Sequence, residues 1–173
     1  MGDIPAARAH LETAIRSAEA IGDPHPSPSE NLGWVLRAEG DLGGARSRFS
    51  EALEAGRRIG SKRGMAGAIN GLASLATDFG DWHRAAVLHG AAQALIEQTG
   101  VLLEGLEDRY RQESLGQARA VLGEEQAQRA SARGMALSLD QVIDLALARV
   151  PTGGGRPRAG PELTAPGPGA DPG

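Results

Sequence analysis

From Gly40 to Leu53 the chain reads GDLGGARSRFSEAL, and the same pattern returns at Gly80 as GDWHRAAVLHGAAQAL. A further copy opens at Gly2 as GDIPAARAHLETAI. Each copy starts with Gly-Asp and places an alanine four residues after the Asp: Ala7, Ala45 and Ala85. A larger residue follows four later (Leu11, Phe49, His89), then a small one three beyond it (Ala14, Ala52, Ala92). Steps of three and four keep these positions on one face of a helix. Upstream of the second and third copies stand Leu32-Gly33 and Leu72-Ala73, followed by Leu36 and Ala76. Helices approach one another as closely as the side chains between them allow. Gly33, Ala73, Ala45 and Ala85 therefore read as contact points within helical hairpins, and Ala52 and Ala92 as contact points with the next hairpin.

Working outward, apolar periodicity predicts helices along the whole chain. Ala7, Leu11, Ala14, Ile15, Ala18 and Ile21 form one stripe, which Gly22-Asp23-Pro24 stops. Further helices are expected from Ser29 to Glu39, Leu42 to Ile59, Lys62 to Phe79 and Trp82 to Thr99. Gly60 stands where a helix end favours a left-handed residue. Two or three more helices follow as far as Val150, the last opened by Ser138 as N-cap with Gln141 reaching back. From Pro151 the chain is more than half Pro and Gly, and such a stretch buries too little apolar surface to offset its ordering entropy.

The combination of turn, small and large positions resembles the tetratricopeptide repeat. Ser29 and Ile69 stand where that family often has Trp, Leu36 or Ala76 replaces its Tyr, and its closing Pro is absent. The Gly-Asp turns are spaced by 38 and then 40 residues, against about 34 in the standard repeat. That longer spacing is similar to the repeats of MalT-like and AfsR-like bacterial regulators, ATP-binding proteins of LuxR type. The order AAVLHGAAQALIEQTG, RYRQESLGQARAVLGEE and ASARGMALSLDQVIDLAL resembles the end of those regulators. The resemblance covers about residues 1–150 and implies an all-α fold: a helical-hairpin solenoid with a right-handed superhelix. Repeats would occupy 1–100, the first incomplete, with a C-terminal helical cap over 101–150 and a disordered tail over 151–173.

Composition narrows the chemistry. The chain has 173 residues, no cysteine and a formal net charge of −4, so disulfides, thiolate metal sites and cysteine nucleophiles are excluded. Lys62 is the single lysine, an arginine bias of the kind GC-rich bacterial genomes produce. A net acidic chain argues against direct nucleic-acid binding by this segment. No apolar run approaches the roughly 18 residues a membrane span needs, and no export signal opens the chain. No membrane role is expected, and the cytoplasm is the expected compartment.

Candidate sites are few. His83 and His89 lie six apart on one helix, nearly on opposite faces, and His89 fills the slot that takes Leu11 or Phe49 in the other copies. A packed histidine is the simpler reading than a metal ligand. His10 and His25 lack partners at ligand spacing, and Glu124-Glu125 suits a helix start. There is no GxxxxGK phosphate loop or GxSxG serine motif. Gly67 and Gly71 share a helix face and read as a seam for close packing. No catalytic residue, cofactor or metal is therefore expected. By repeat phase, Glu30, Trp34, Arg37 and Ala38 face an inner groove from one hairpin, and Gly67, Asn70, Ser74, Thr77 and Asp78 face it from the next. Glu30, Trp34, Arg37, Asn70, Ser74 and Asp78 are the candidate contacts for a peptide or protein partner, with ordinary solvated residues as the plainer alternative.

Met1 precedes a Gly-Asp turn, so the first helix reads as the second half of a repeat. Leu11 and Ile15 would then lie on an open apolar edge, which a longer chain upstream or a second copy would cover. The expected function is a non-enzymatic regulatory scaffold, the C-terminal repeat region of a bacterial ATP-binding transcriptional regulator. The alternative is a free-standing tetratricopeptide adaptor that self-associates through its N-terminal helix or binds a peptide. An enzyme with an unrecognised groove site is the remaining possibility.

Overall fold

A computed structural model describes residues 4–22, 25–99 and 106–148. Among these residues every regular element is a helix: α1 (Ile4–Ile21), α2 (Pro26–Ala38), α3 (Leu42–Arg58), α4 (Lys62–Asp78), α5 (Trp82–Thr99), α6 (Leu106–Leu122), α7 (Glu124–Met135) and α8 (Leu139–Leu147). The expected tail over 151–173 lies outside the described residues, as do Gly2-Asp3, Asp23 and Gly100.

One turn design is used three times. Gly40, Gly60 and Gly80 have φ of 84°, 68° and 80°, a region that L side chains enter only at a cost. The glycine N–H is given to the carbonyl three residues back, and the next N–H reaches five back. Asp41 N donates to Leu36 O at 2.9 Å, Ser61 N to Gly56 O at 2.8 Å and Asp81 N to Ala76 O at 2.8 Å. These bonds satisfy the last carbonyls of each helix. The residue after each glycine then caps the next helix: Asp41 accepts from Gly44 N at 2.8 Å, Ser61 from Gly64 N at 3.1 Å and Asp81 from Arg84 N at 3.2 Å. The Gly-Asp signature is thus one stop and one start fused into two residues. Ser138 and Gln141 form the expected capping box of α8.

Helix α2 begins earlier than the pattern suggested, with His25 as N-cap and Pro26 at the first helical position. Proline is tolerated there because first-turn N–H groups have no helical acceptor to lose.

Helices α2 with α3 and α4 with α5 pack along their lengths as hairpins, and α3 packs on α4. Ala45, Ala52, Ala85 and Ala92 are fully buried at these seams. Phe49 occupies the space vacated by two glycines: a Cβ at Gly33 would come 2.6 Å from its Cε1, and a Cβ at Gly71 would meet the same ring edge. Gly33 therefore makes room for an aromatic ring as well as for a neighbouring helix. Helices α5 and α7 meet backbone to backbone, since a Cβ on Gly90 would strike the Ser131 carbonyl and one on Gly134 the Val87 carbonyl.

The first copy departs from the other two. Ala7 and Ala14 are exposed, while Leu11 and Ile15 turn inward and join the main core. The open apolar edge expected at Leu11 and Ile15 is therefore corrected. Both pack inward, and the exposed residues of α1 mix alanine with polar side chains such as Arg8, His10, Thr13 and Arg16, with Ile21 its one large exposed apolar side chain among the described residues.

The outer side is closed by α8. Arg46 on α3 donates to Leu147 O at 3.0 Å and Ala148 O at 2.9 Å, and Arg84 on α5 donates to Ala146 O at 3.3 Å and Ala148 O at 2.6 Å. Two guanidiniums thus meet the electronegative C-terminal end of one short helix. Burial holds the Arg84 pKa below its ordinary value.

Candidate functional site on the inner helical face

The inner face is built from α2 and α4; α6 packs against α4, α5 and α7, and reaches α2 through Tyr110. Tyr110 of α6 stacks on Trp34 of α2, centroids 5.1 Å apart and planes 13° from parallel. The Arg37 guanidinium sits 5.4 Å from the Tyr110 ring and 6.0 Å from that of Trp34. Trp34 also meets Phe49 edge-on at 5.0 Å, so the aromatic column continues into the core.

Arg37 is fixed by a two-pronged ion pair to Asp78: Nε to Oδ2 at 2.7 Å and Nη2 to Oδ1 at 2.9 Å. The fork geometry matches carboxylate oxygens in one orientation. The pair links α2 to α4, helices not joined by a turn.

Beneath α6 runs a buried polar chain. Asn70 Oδ1 lies 3.0 Å from His89 Nδ1, His89 Nε2 2.7 Å from Ser114 Oγ, and Ser114 Oγ 2.6 Å from Thr77 Oγ1. Thr77 Oγ1 also lies 3.3 Å from Ala73 O as donor, so the four side chains and the α4 backbone form one hydrogen-bonded series whose proton direction is set by the His89 tautomer. His89 is held neutral. Burial, with the Arg111 and Arg37 charges pushing the same way, lowers its pKa from 6.5 to about 3.

Three polar atoms on this face are buried without a hydrogen-bond partner: Trp34 Nε1, Asn70 Nδ2 and Ser74 Oγ. Each such group costs about 1–3 kcal/mol when desolvated.

The six residues expected to line an open groove are brought together, though not as an open groove. Trp34 and Arg37 pack against Tyr110, Arg37 and Asp78 neutralise each other, and Asn70 and Ser74 are buried. Glu30 is buried with its carboxylate in the space left by Gly67, so Gly67 accommodates a charged side chain while Gly71 accommodates Phe49. His83 is exposed and His89 buried, on opposite faces as their spacing required. Tyr110 and Ser114 went unnoticed in the sequence. The available signal was a histidine in a slot held elsewhere by Leu or Phe: a buried imidazole demands polar partners. Among the described residues, no group of three or more His, Asp or Glu is placed to hold a metal ion. No described helix is long and apolar enough to cross a membrane.

No protein-family model matches the chain, and no solved structure does. Three curated proteins are similar to it, one from Mycobacterium bovis and two from strains of Mycobacterium tuberculosis, all provisionally named HTH-type transcriptional regulators. Each is 36% identical over 109 residues, covering 63% of this chain and 12% of the relative. The chain thus spans about an eighth of the relatives' length. These names correct one expectation. Helix-turn-helix regulators are a DNA-binding class, so an acidic net charge does not exclude nucleic acid. A chain-wide charge of −4 averages over local basic clusters such as Arg57, Arg58 and Lys62.

Proposed function

We propose that the chain is a regulatory scaffold without catalysis of its own, a tetratricopeptide-type repeat region belonging to a bacterial transcriptional regulator of the ATP-binding, MalT-like or AfsR-like kind. The observation that carries the regulatory part is the 36% identity to HTH-type regulators. Supporting the repeat reading are the three equivalent glycine turns and the buried small residues at matching positions. Supporting a non-catalytic role, the charged and titratable side chains of the inner face are engaged with one another: Arg37 with Asp78, His89 with Asn70 and Ser114. In this reading the face formed by α2 and α4 is where a protein partner is sensed.

The test is deletion of the coding region in its host, followed by RNA sequencing and complementation. A discrete set of transcripts should shift on deletion and be restored by the wild-type chain. Unchanged transcription would contradict the regulatory reading.

A further inference from the structure

We infer that the outer surface where α8 lies along α3 pairs with the same surface of a second copy of the chain, giving a two-fold dimer.

Exposed apolar side chains mark the surface. Among the described residues the large ones are Ile21, Ile59, Val121, Met135 and Leu139. Three of them stand on two turns: Ile59 on the α3–α4 turn, Met135 and Leu139 on either side of the α7–α8 turn. Two contacts place these turns on one side of the molecule. Arg46, near the start of α3, reaches Leu147 O, and Arg57, at its end, lies 3.7 Å from Asp140. Helix α8 therefore runs antiparallel to α3, its first turn toward the end that carries Ile59. Both turns are fixed in place. Gly60 takes its φ of 68° and Ser61 caps α4, while Ser138 and Gln141 box the start of α8. Side chains displayed on such turns lose little freedom on association.

Charge decides the occupant. Beside Ile59 stand Arg57, Arg58 and Lys62; beside Leu139 stand Asp140 and Asp144, one turn apart on the exposed stripe of α8. The surface thus has a basic half and an acidic half, with apolar residues in both. A half-rotation lays the basic half of one copy on the acidic half of the other, the self-complementarity that a two-fold interface requires. A partner of one sign would match one half and repel the other. Within one copy the halves are weakly engaged: Arg57 and Asp140 are both largely exposed, and Lys62 bonds to the neutral Gln98. No single solvated charge here is worth much. The charges orient the pairing, and the apolar side chains hold it. So small an apolar area makes a weak dimer, in the micromolar range.

Sedimentation equilibrium of the full chain, from micromolar to submillimolar concentration, reads the association. A monomer–dimer equilibrium is expected; a chain that stays monomeric, or one that grows past the dimer, overturns the inference. Leu139→Glu puts an acid at the first helical position of α8, where it suits the helix dipole. The helix is kept, and the dimer should weaken by about tenfold or more. Ile21→Ser, at the exposed end of α1, should leave the dimer unchanged. A dimer that survives Leu139→Glu overturns the assignment, and its loss with Ile21→Ser puts the interface on α1 instead. Exchange of charge tests the two-fold geometry. Lys62→Glu and Asp144→Lys, each checked for helical content, should each weaken self-association several-fold. An equimolar mixture of the two should restore it, because opposite charges then face each other across both halves. Mixed chains that associate no more tightly than either variant alone overturn the two-fold pairing.

Discussion

Replacing Gly71 with alanine sets two opposing effects against each other. In an exposed helix interior the substitution would stabilise, since glycine costs about 1 kcal/mol relative to alanine. At position 71 the new methyl would enter the ring of Phe49, meeting its Cδ1, Cε1 and Cγ atoms. Unstrained carbon contacts lie near ~3.5–4.0 Å, so the ring must shift by roughly 1 Å. It has no free direction: Phe49 has no exposed surface, Gly33 borders the same ring edge, and Trp34 meets the ring at 5.0 Å. Overpacking of this kind costs about 1–3 kcal/mol, and the constraint on the ring favours the upper half of that range. The net expectation is destabilisation by about 1–2 kcal/mol, a fall in Tm of several degrees. Gly116 is the internal control, for nothing lies within 4 Å of its absent Cβ, and Gly116→Ala should stabilise by up to about 1 kcal/mol. Urea unfolding followed by helical circular dichroism measures both. The pair Gly71→Ala with Phe49→Leu should cost less than the two single changes added, because the smaller side chain vacates the contested space. If Gly71→Ala stabilised as much as Gly116→Ala, the account of Phe49 wedged between two helices would be wrong.

Gly60→Ala should cost about 1–2 kcal/mol through its φ of 68°, and equal stability by thermal melting would show that the turn relaxes. Arg84→Met removes the donor to Ala146 O and Ala148 O; faster amide exchange over 142–147 with α4 unchanged is expected, and unchanged protection would refute the clamp. His89 is neutral in the folded chain with a pKa near 3, below its ordinary 6.5. Protons therefore bind the unfolded state more readily between those values. Its contribution is fully present above pH 6.5 and declines as pH falls toward 3, by up to about 1.4 kcal/mol per pH unit. His89→Gln should flatten that part of the stability profile, and an unaltered slope between pH 5 and 6.5 would contradict a buried neutral imidazole.

The helix ends and starts were legible because their determinants are local. Gly40, Gly60 and Gly80 each end one helix, and the following Asp41, Ser61 and Asp81 start the next, from a few adjacent residues. Small positions such as Ala45 and Ala85 were legible because a core seam tolerates little else. The start of α2 was placed at Ser29 where the helix begins at Pro26, because a first helical turn accepts prolines such as those at 26 and 28. What could not be read was the path of the chain after α5. The stripe of α6 holds Tyr110, Ser114 and Ala118, too polar to announce a buried face, and its partners lie 76 positions away at Trp34 and 37 away at Thr77. The same distance in sequence hid the clamp of Arg46 and Arg84 on α8. For the inner face, residue choice was legible and occupancy was not: Trp34, Arg37, Asn70, Ser74 and Asp78 do converge, under a helix of the same chain. Partner class was misjudged at nucleic acid, because net charge is an average and the relatives are named as regulators of transcription.

The central claim is that regulation runs through the α2–α4 face, and transcription read from inner-face and outer-face variants tests it most directly. In the deleted host, complementation with Trp34→Ala or Asp78→Asn, checked for retained helical content, should fail to restore the shifted transcripts. Arg58→Ala, on an exposed position at the end of α3, should restore them as the wild type does. Restoration by all three, or loss with Arg58→Ala alone, would contradict the account.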